Sequence, residues 1–219
     1  YQCETFESAK KWVTTSLAQV AKGEQVMFGI IDNASGQFVG STRYCSIDIE
    51  NSGIEIGFTF INPKFQRTHI NTNSKLLLLT HAFETLKAVR VQLRTHEKNQ
   101  KSRNAISRLG ATFEGILRSH RLLSTGEYRN TALFSLLKIE WPQSKLRLEQ
   151  KIEKHTNKIS AEVIPTIKLD TQVISIIKEY PLAQVIIASN DNLHDQIIYL
   201  PLRFDQNKNV LPGHLFIKN

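Results

Sequence analysis

The chain has few of the residues that mark disulfide-stabilised, zinc-stabilised or membrane proteins. Its 219 residues include two cysteines, Cys3 and Cys45. This excludes a disulfide scaffold or a cysteine-rich zinc module, and it indicates a reducing compartment such as the cytoplasm. No apolar run approaches the roughly 18 residues of a membrane helix, which excludes a membrane span. The chain begins at Tyr1 rather than Met and shows no signal-peptide pattern, so we expect a fragment that lacks both ends.

The chain carries an excess of positive charge. It carries 28 Lys and Arg against 20 Asp and Glu, a net charge of +8, which favours polyanionic partners. Attraction of a phosphorylated cofactor or of ribosomal RNA is one interpretation, and a solvated surface is the other. The basic stretches have no interleaved aromatic side chains, so nucleic acid is not an expected partner of this chain alone. The 7 histidines show no metal-ligand spacing, so no metal is expected.

Hydrophobic periodicity predicts a helix, three strands, a helix, a strand, a helix and two strands. The predicted helices cover 6–21, 72–87 and 99–109, and the predicted strands cover 25–32, 37–47, 53–61, 89–95, 111–120 and 129–139. This order is typical of a layered α/β (α+β) fold. We predict three segments: a domain over 1–142, a linker helix over 143–168 and a small β segment over 169–219.

The junction between the third strand and the second long helix carries the clearest chemical signal. A helix N-terminus presents unpaired N–H groups and the positive end of a dipole. Preceded by a short loop with Gln66, Arg67 and Thr68, it is suited to hold a phosphate group. An ordinary strand–loop–helix connection is the alternative. The glycines of Walker and Rossmann loops are absent, which excludes both of those motifs.

Three stretches together resemble the GNAT acetyltransferase superfamily, in its ribosomal-protein N-acetyltransferase branch. They are GIEIGFTFINPKFQRTHINTNSKLLLLTHAFE, VRVQLRTHEKNQKSRNAISRLGATFEGILRSH and STGEYRNTALFSLLKIEWP, and the resemblance extends over residues 25–141. It implies a mixed, mostly antiparallel sheet flanked by helices, with acetyl-CoA as cofactor and an amine as acceptor. It also implies that the first helix and strand of a complete domain would precede Tyr1.

The resemblance places the superfamily's cofactor pattern, Q/R-x-x-G-x-G/A, on residues 66–71. His69 and Asn71 stand where glycine is usual, and we predict that the His69 side chain points outward. The resemblance implies cofactor contacts at the end of the third strand, in the loop that follows it, and at the starts of the two helices near residues 70 and 99. These residues are Phe60, Ile61, Gln66, Arg67, Thr68, His69, Ile70, Asn71, Asn99 and Arg103.

Two residues are the candidates for proton transfer. Ser102 matches a serine that in this branch protonates the leaving thiolate, although it could be a first-turn serine without a role, and Asn99 could be a helix N-cap. Glu55 alternates with Ile54 and Ile56 and so leaves the apolar face, where it could act as the base or form a salt bridge. The position at which the branch can carry a glutamate base is Arg121 here.

The implied reaction is acetyl transfer from acetyl-CoA to a primary amine, either a protein or peptide α-amine or a small amine. The alternative is a non-catalytic regulator that senses acetyl-CoA or flavin, and an inactive relic also stays open. Residues 169–219 resemble the start of an FMN-binding split-barrel domain of the negative transcriptional regulator type. FMN is expected only if a complete second domain exists, and a homodimer is left open.

Overall fold

The computed structural model describes residues 5–32, 35, 37–123 and 125–156, followed by four short strands. The helices are α1 Phe6–Ala21, α2 Ile70–Thr80, α3 Gln100–Ser107 and α4 Trp141–Thr156. The main strands are β1 Val26–Asp32, β2 Phe38–Asp48, β3 Gly53–Ile61, β4 Arg90–His96, β5 Thr112–Leu122 and β6 Tyr128–Leu137. The short strands are β7 Gln184–Ala188, β8 Ile197–Ile198, β9 Arg203–Phe204 and β10 Val210–Leu211.

Local signals fix several of the helix ends. Thr5 and Ser8 form a capping box at the start of α1, which satisfies amides that the helix leaves unpaired. The Asn99 side chain accepts a hydrogen bond from the Ser102 amide and caps α3, so the N-cap prediction is confirmed. After α2 the chain continues through a π-helical turn, His81–Thr85, which accounts for the longer helix predicted from periodicity.

Six strands form a sheet in the order β5-β6-β4-β3-β2-β1. Neighbouring strands are antiparallel except β3 and β4, which are parallel. β7 lies parallel to β1 and pairs with β8, which extends the sheet. The mixed, mostly antiparallel sheet flanked by helices is therefore confirmed.

The two faces of this sheet differ in character. One face packs against α2 and α4 in a single apolar cluster that includes Ile54, Ile56, Leu79, Phe134 and Leu148. The opposite side, called the polar face below, carries Arg43, Cys45, Glu55 and Arg94, because side chains alternate along each strand.

Helix α4 joins the apolar cluster from its first residue. Trp141 is buried, stacks on Phe83 with 5.5 Å between ring centroids, and donates a hydrogen bond to Glu84. The first part of the predicted linker helix is thus packed on the sheet. The domain boundary at residue 142 stays a prediction, and residues 157–183 of the predicted linker and β segment lie outside the described residues.

Candidate active site

β3 and β4 stop pairing well before their carboxyl ends, and the space between these two strand ends is called the cleft below. The two strands pair only from Gly53 with Arg90 to Glu55 with Gln92, although β3 continues to Ile61 and β4 to His96. The pairing of β3 with β2 shifts in register beside Phe58, whose φ of 51° is positive. A bulge of this kind bends the strand that carries it. The bend therefore accounts for the divergence of β3 from β4.

Gly40 sets how closely β2 approaches the end of β3. A Cβ atom on Gly40 would lie 2.2 Å from the Phe60 carbonyl oxygen and 3.1 Å from the Ile61 Cα atom. Only glycine fits at that separation. The main chain of Phe60 and Ile61, which was predicted to lie beside the cofactor, is thus held in place from the β2 side. Ile61 is buried, whereas the Phe60 side chain is exposed.

Gln66 ties the loop after β3 to helix α3. Its Nε2 donates to the Ile61 carbonyl at 2.8 Å, and its Oε1 accepts a hydrogen bond from Lys101 Nζ. Arg67, the next residue, is exposed and has a φ of 63°. Lys101 was not among the predicted site residues, although its place in the first turn of a helix beside the cleft was a usable signal.

The N-terminus of α2 keeps unbonded amides. The Ile70 amide donates to Thr68 Oγ1 at 3.3 Å, and the Asn73 amide donates to the His69 carbonyl at 2.9 Å. In the described part of the chain no acceptor is bonded to the amides of Asn71 and Thr72. Two N–H groups at the positive end of a helix dipole favour an anion.

His69 differs from the sequence prediction. Its side chain is only 11% exposed, and its Nε2 lies 3.9 Å from Asp32 Oδ1 at the end of β1. The imidazole therefore turns into the protein instead of pointing outward. The buried carboxylate of Asp32 at the end of β1 explains this orientation, and this long-range neighbour is not visible from the loop sequence.

Ser102 and Arg103 lie in the first turn of α3, across the cleft opening from α2. Ser102 is half-buried. The Arg103 guanidinium donates to the Glu97 carbonyl at 3.1 Å and lies 5.2 Å from the centroid of the Phe113 ring. The structure thus brings Gln66 and the α3 N-terminus together, whereas the described contacts of Arg103 are with the turn after β4 and with β5.

Glu55 lies on the polar face near the base of the cleft and is only 6% exposed. Its Oε2 accepts a hydrogen bond from Ser46 Oγ at 2.9 Å and lies 3.3 Å from Arg94 Nε. Glu55 therefore forms the salt bridge that the sequence left open as the alternative to a role as the base.

Glu114, by contrast, is engaged in hydrogen bonds that join neighbouring strands. Its carboxylate receives hydrogen bonds from Arg90 at 2.5 and 2.6 Å and from Ser135 at 2.7 Å. The hydrogen bond from Arg90, with the one from Ser135, holds the pKa of Glu114 at about 2. A group of such low basicity is a poor proton acceptor.

Comparison with known proteins agrees with this geometry. The acetyltransferase (GNAT) domain family matches residues 2–112. A curated relative named "Putative ribosomal N-acetyltransferase YdaF", from Bacillus subtilis, is 34% identical over 110 residues, which cover 50% of this chain and 59% of the relative. The chain therefore belongs to the GNAT acetyltransferase family.

Two solved structures share the fold. A GCN5-related N-acetyltransferase from Brucella melitensis is 33% identical, with a TM-score of 0.61 over 67% of this chain and 65% of that one. Mycobacterium smegmatis RimJ, solved in complex with CoA-disulfide, is 21% identical, with a TM-score of 0.56 over 66% of this chain and 68% of that one.

None of the helices in the described residues has the length and apolar character needed to cross a membrane. Those residues also contain no group of three or more His, Cys, Asp and Glu side chains placed to hold a metal ion.

Proposed function

We propose that this chain is an N-acetyltransferase that moves an acetyl group from acetyl-CoA to a primary amine. The observation that carries the proposal is the cleft: β3 and β4 separate after a three-residue pairing, and two helix N-termini lie at the open end. Acetyl-CoA supplies the acetyl group as a thioester. The regulator alternative is not favoured, because the family and the relatives described above are acetyltransferases.

The residues around the cleft fit this cosubstrate. In the proposal, the Asn71 and Thr72 amides bind the diphosphate, and Lys101 adds positive charge beside it. The main chain of Phe60 and Ile61 lies along the thioester arm, where an N–H group could polarise the acetyl carbonyl. Arg67, Thr68, Ile70, Asn99 and Arg103 stay predicted contacts by resemblance.

The free-energy cost of deprotonating the acceptor favours an α-amine. An amine attacks only in its neutral form. At pH 7, deprotonation of a lysine-type amine costs about 4.6 kcal/mol, whereas an α-amine costs only about 1 kcal/mol. Glu55 is proposed to take this proton through water, and Ser102 to give one to the departing thiolate.

The test is turnover by the full chain. Release of free thiol from acetyl-CoA is measured with three kinds of acceptor: short peptides with free N-termini, polyamines and lysine side-chain amines. The proposal expects thiol release with at least one amine, highest for α-amines. Tight acetyl-CoA binding by folded protein without turnover of any amine would contradict it and favour a sensor.

We infer no flavin chemistry from this chain. The resemblance of residues 169–219 to a split-barrel domain stays a prediction, because most of that segment lies outside the described residues. Cytoplasmic location and a homodimer likewise stay predictions.

A further inference from the structure

Two arginines lie directly opposite each other on the hairpin that borders the polar face. Arg121 of β5 pairs in register with Arg129 of β6. Like charges at directly opposed positions destabilise a hairpin. Among the residues that the structure describes, no carboxylate forms an ion pair with either guanidinium. The hairpin thus keeps an electrostatic repulsion that its own side chains do not relieve.

The hairpin bends just before this pair. Between Leu117 and Arg121 the pairing of β5 with β6 shifts in register, and Ser119 has a φ of 46°. The Ser119 amide donates to Asn130 Oδ1 at 2.8 Å, which holds the bend in place. Such a bulge changes the direction in which the following side chains point.

The bend brings the arginine pair toward the cleft. His120 Nδ1 lies 3.1 Å from Thr131 Oγ1, and Thr131 is in register with His96, the last residue of β4. Desolvation is the largest influence that lowers the pKa of His120, followed by the charges of Arg121, Arg94 and Arg129. Arg129 lies two residues before Thr131 on β6 and therefore on the same face, so the arginine pair adjoins the open end of β4.

The charge of Arg121 also reaches the far side of the cleft. Burial, then the Glu55 charge, raises the pKa of Cys45 to about 12, and Arg94, Arg43 and Arg121 act in the opposite direction. Cys45 lies on β2, beyond β3 in the sheet. Arg121 thus acts across the polar face on which Glu55 and Arg94 lie.

Nearby carboxylates are already engaged. Glu55 is paired with Arg94, and both oxygens of Glu97 accept hydrogen bonds from Asn130 Nδ2 at 3.1 Å. The polar face beside the cleft therefore carries a surplus of positive charge at Arg121 and Arg129.

We propose that Arg121 and Arg129 bind a carboxylate that the acceptor carries close to its reacting amine. The inference rests on the proposed function and names its substrate class. Arginine guanidinium groups bind carboxylates through paired, charge-assisted hydrogen bonds. An acidic peptide N-terminus and a free amino acid both present an amine with a nearby carboxylate. Polyamines present only positive charge, which the same arginines repel.

The test compares matched acceptors with the full chain. C-terminally amidated peptides that differ only in the second residue, Asp, Asn or Lys, are assayed for kcat/KM, with free glutamate as a separate arm. We expect an advantage of about tenfold for Asp over Asn, the effect of one good charge-assisted contact. High salt should reduce that advantage. Preference for the peptide or for glutamate identifies the source of the carboxylate, and either supports the proposal.

Variants assign the effect to the arginine pair. R121Q and R129Q should abolish the preference for Asp by lowering kcat/KM for the Asp peptide to that of the Asn peptide. They should also fold at least as stably as the native chain, because they remove a repulsion. R147Q, which removes an equal charge from the exposed side of α4, is the matched control and should keep the preference.

Two outcomes would overturn the inference, and they are distinguishable. Equal kcat/KM for the Asp and Asn peptides together with no turnover of free glutamate, or a preference that survives both substitutions, refutes the arginine site and leaves the transferase proposal intact. Binding of acetyl-CoA without turnover of any acceptor refutes the transferase proposal, and the inference fails with it.

Discussion

Lys75 is a charged residue type placed inside the core. It is 4% exposed, and its Nζ donates to Thr42 Oγ1 at 2.9 Å and to Thr59 Oγ1 at 2.6 Å. Burial lowers its pKa from 10.5 to about 7. The threonines lie on β2 and β3, so this amine joins α2 to the strand that forms one wall of the cleft.

The first prediction concerns the pH dependence of stability that Lys75 causes. Its folded pKa lies below its unfolded pKa, so the unfolded chain binds the extra proton more readily. The resulting penalty is complete below about pH 7 and disappears as the pH rises toward about 10.5. Each pH unit in this window is worth up to about 1.4 kcal/mol.

Chemical denaturation at several pH values measures this dependence. The native chain should gain a few kcal/mol of unfolding free energy between about pH 7 and pH 10, and Lys75→Met should flatten that rise. Lys138→Met, at an exposed position, should keep the native slope. If the unfolding free energy of Lys75→Met rose with pH as steeply as that of the native chain, the Lys75 amine would titrate as it does in water.

The second prediction concerns Glu55. Glu55→Gln keeps the size of the side chain and removes its ability to take a proton. We expect kcat to fall about 10²-fold or more with KM for acetyl-CoA nearly unchanged, the usual effect of losing a general base. Glu114→Gln is the control and should keep kcat, because the Glu114 carboxylate is committed to Arg90. Equal kcat values for the two variants would exclude Glu55 as the base.

At the scale of elements, the end of β3 is held by its contact with β2. The third prediction is that Gly40→Ala weakens acetyl-CoA binding, because the added Cβ would lie 2.2 Å from the Phe60 carbonyl oxygen. Overpacking of this kind costs about 1–3 kcal/mol and displaces the main chain. Titration calorimetry checks the affinity, and thermal denaturation checks the fold.

Gly53→Ala is the matched control within the same sheet. A Cβ at Gly53 would meet only the Asp48 Cβ at 3.7 Å, an ordinary contact. The variant should bind acetyl-CoA like the native chain. If Gly40→Ala also bound normally, the close approach of β2 would have no part in forming the cleft.

Element order was predictable because it depends on local pattern. α1 and β3 have the predicted bounds, and the other helices and strands of the sheet lie close to theirs, since apolar periodicity reports the face that each element buries. The π-helical turn after α2 was not visible, because a continuous apolar stripe does not reveal which hydrogen bonds the backbone makes.

At the scale of the whole molecule, the features that sequence could not supply are long-range contacts. The ion pair of Glu55 with Arg94, the inward turn of His69 toward Asp32 and the burial of Lys75 each join residues from different elements. The resemblance to a known family assigned most of the candidate residues to a cleft, but their partners came from other strands of the assembled sheet.

The central claim is that the first turn of α2 binds the diphosphate of coenzyme A through its backbone amides. Calorimetric titration of the full chain with acetyl-CoA, beside Thr72→Pro and Thr72→Ala, tests it directly. Proline removes one N–H from a helix turn that tolerates it, whereas alanine removes only the side chain. The account predicts single-site binding by the native chain and by Thr72→Ala, and an affinity about tenfold or more lower for Thr72→Pro, the loss expected for one hydrogen bond to a charged group. Absence of binding by folded native protein, or equal affinity of the two variants, would contradict it.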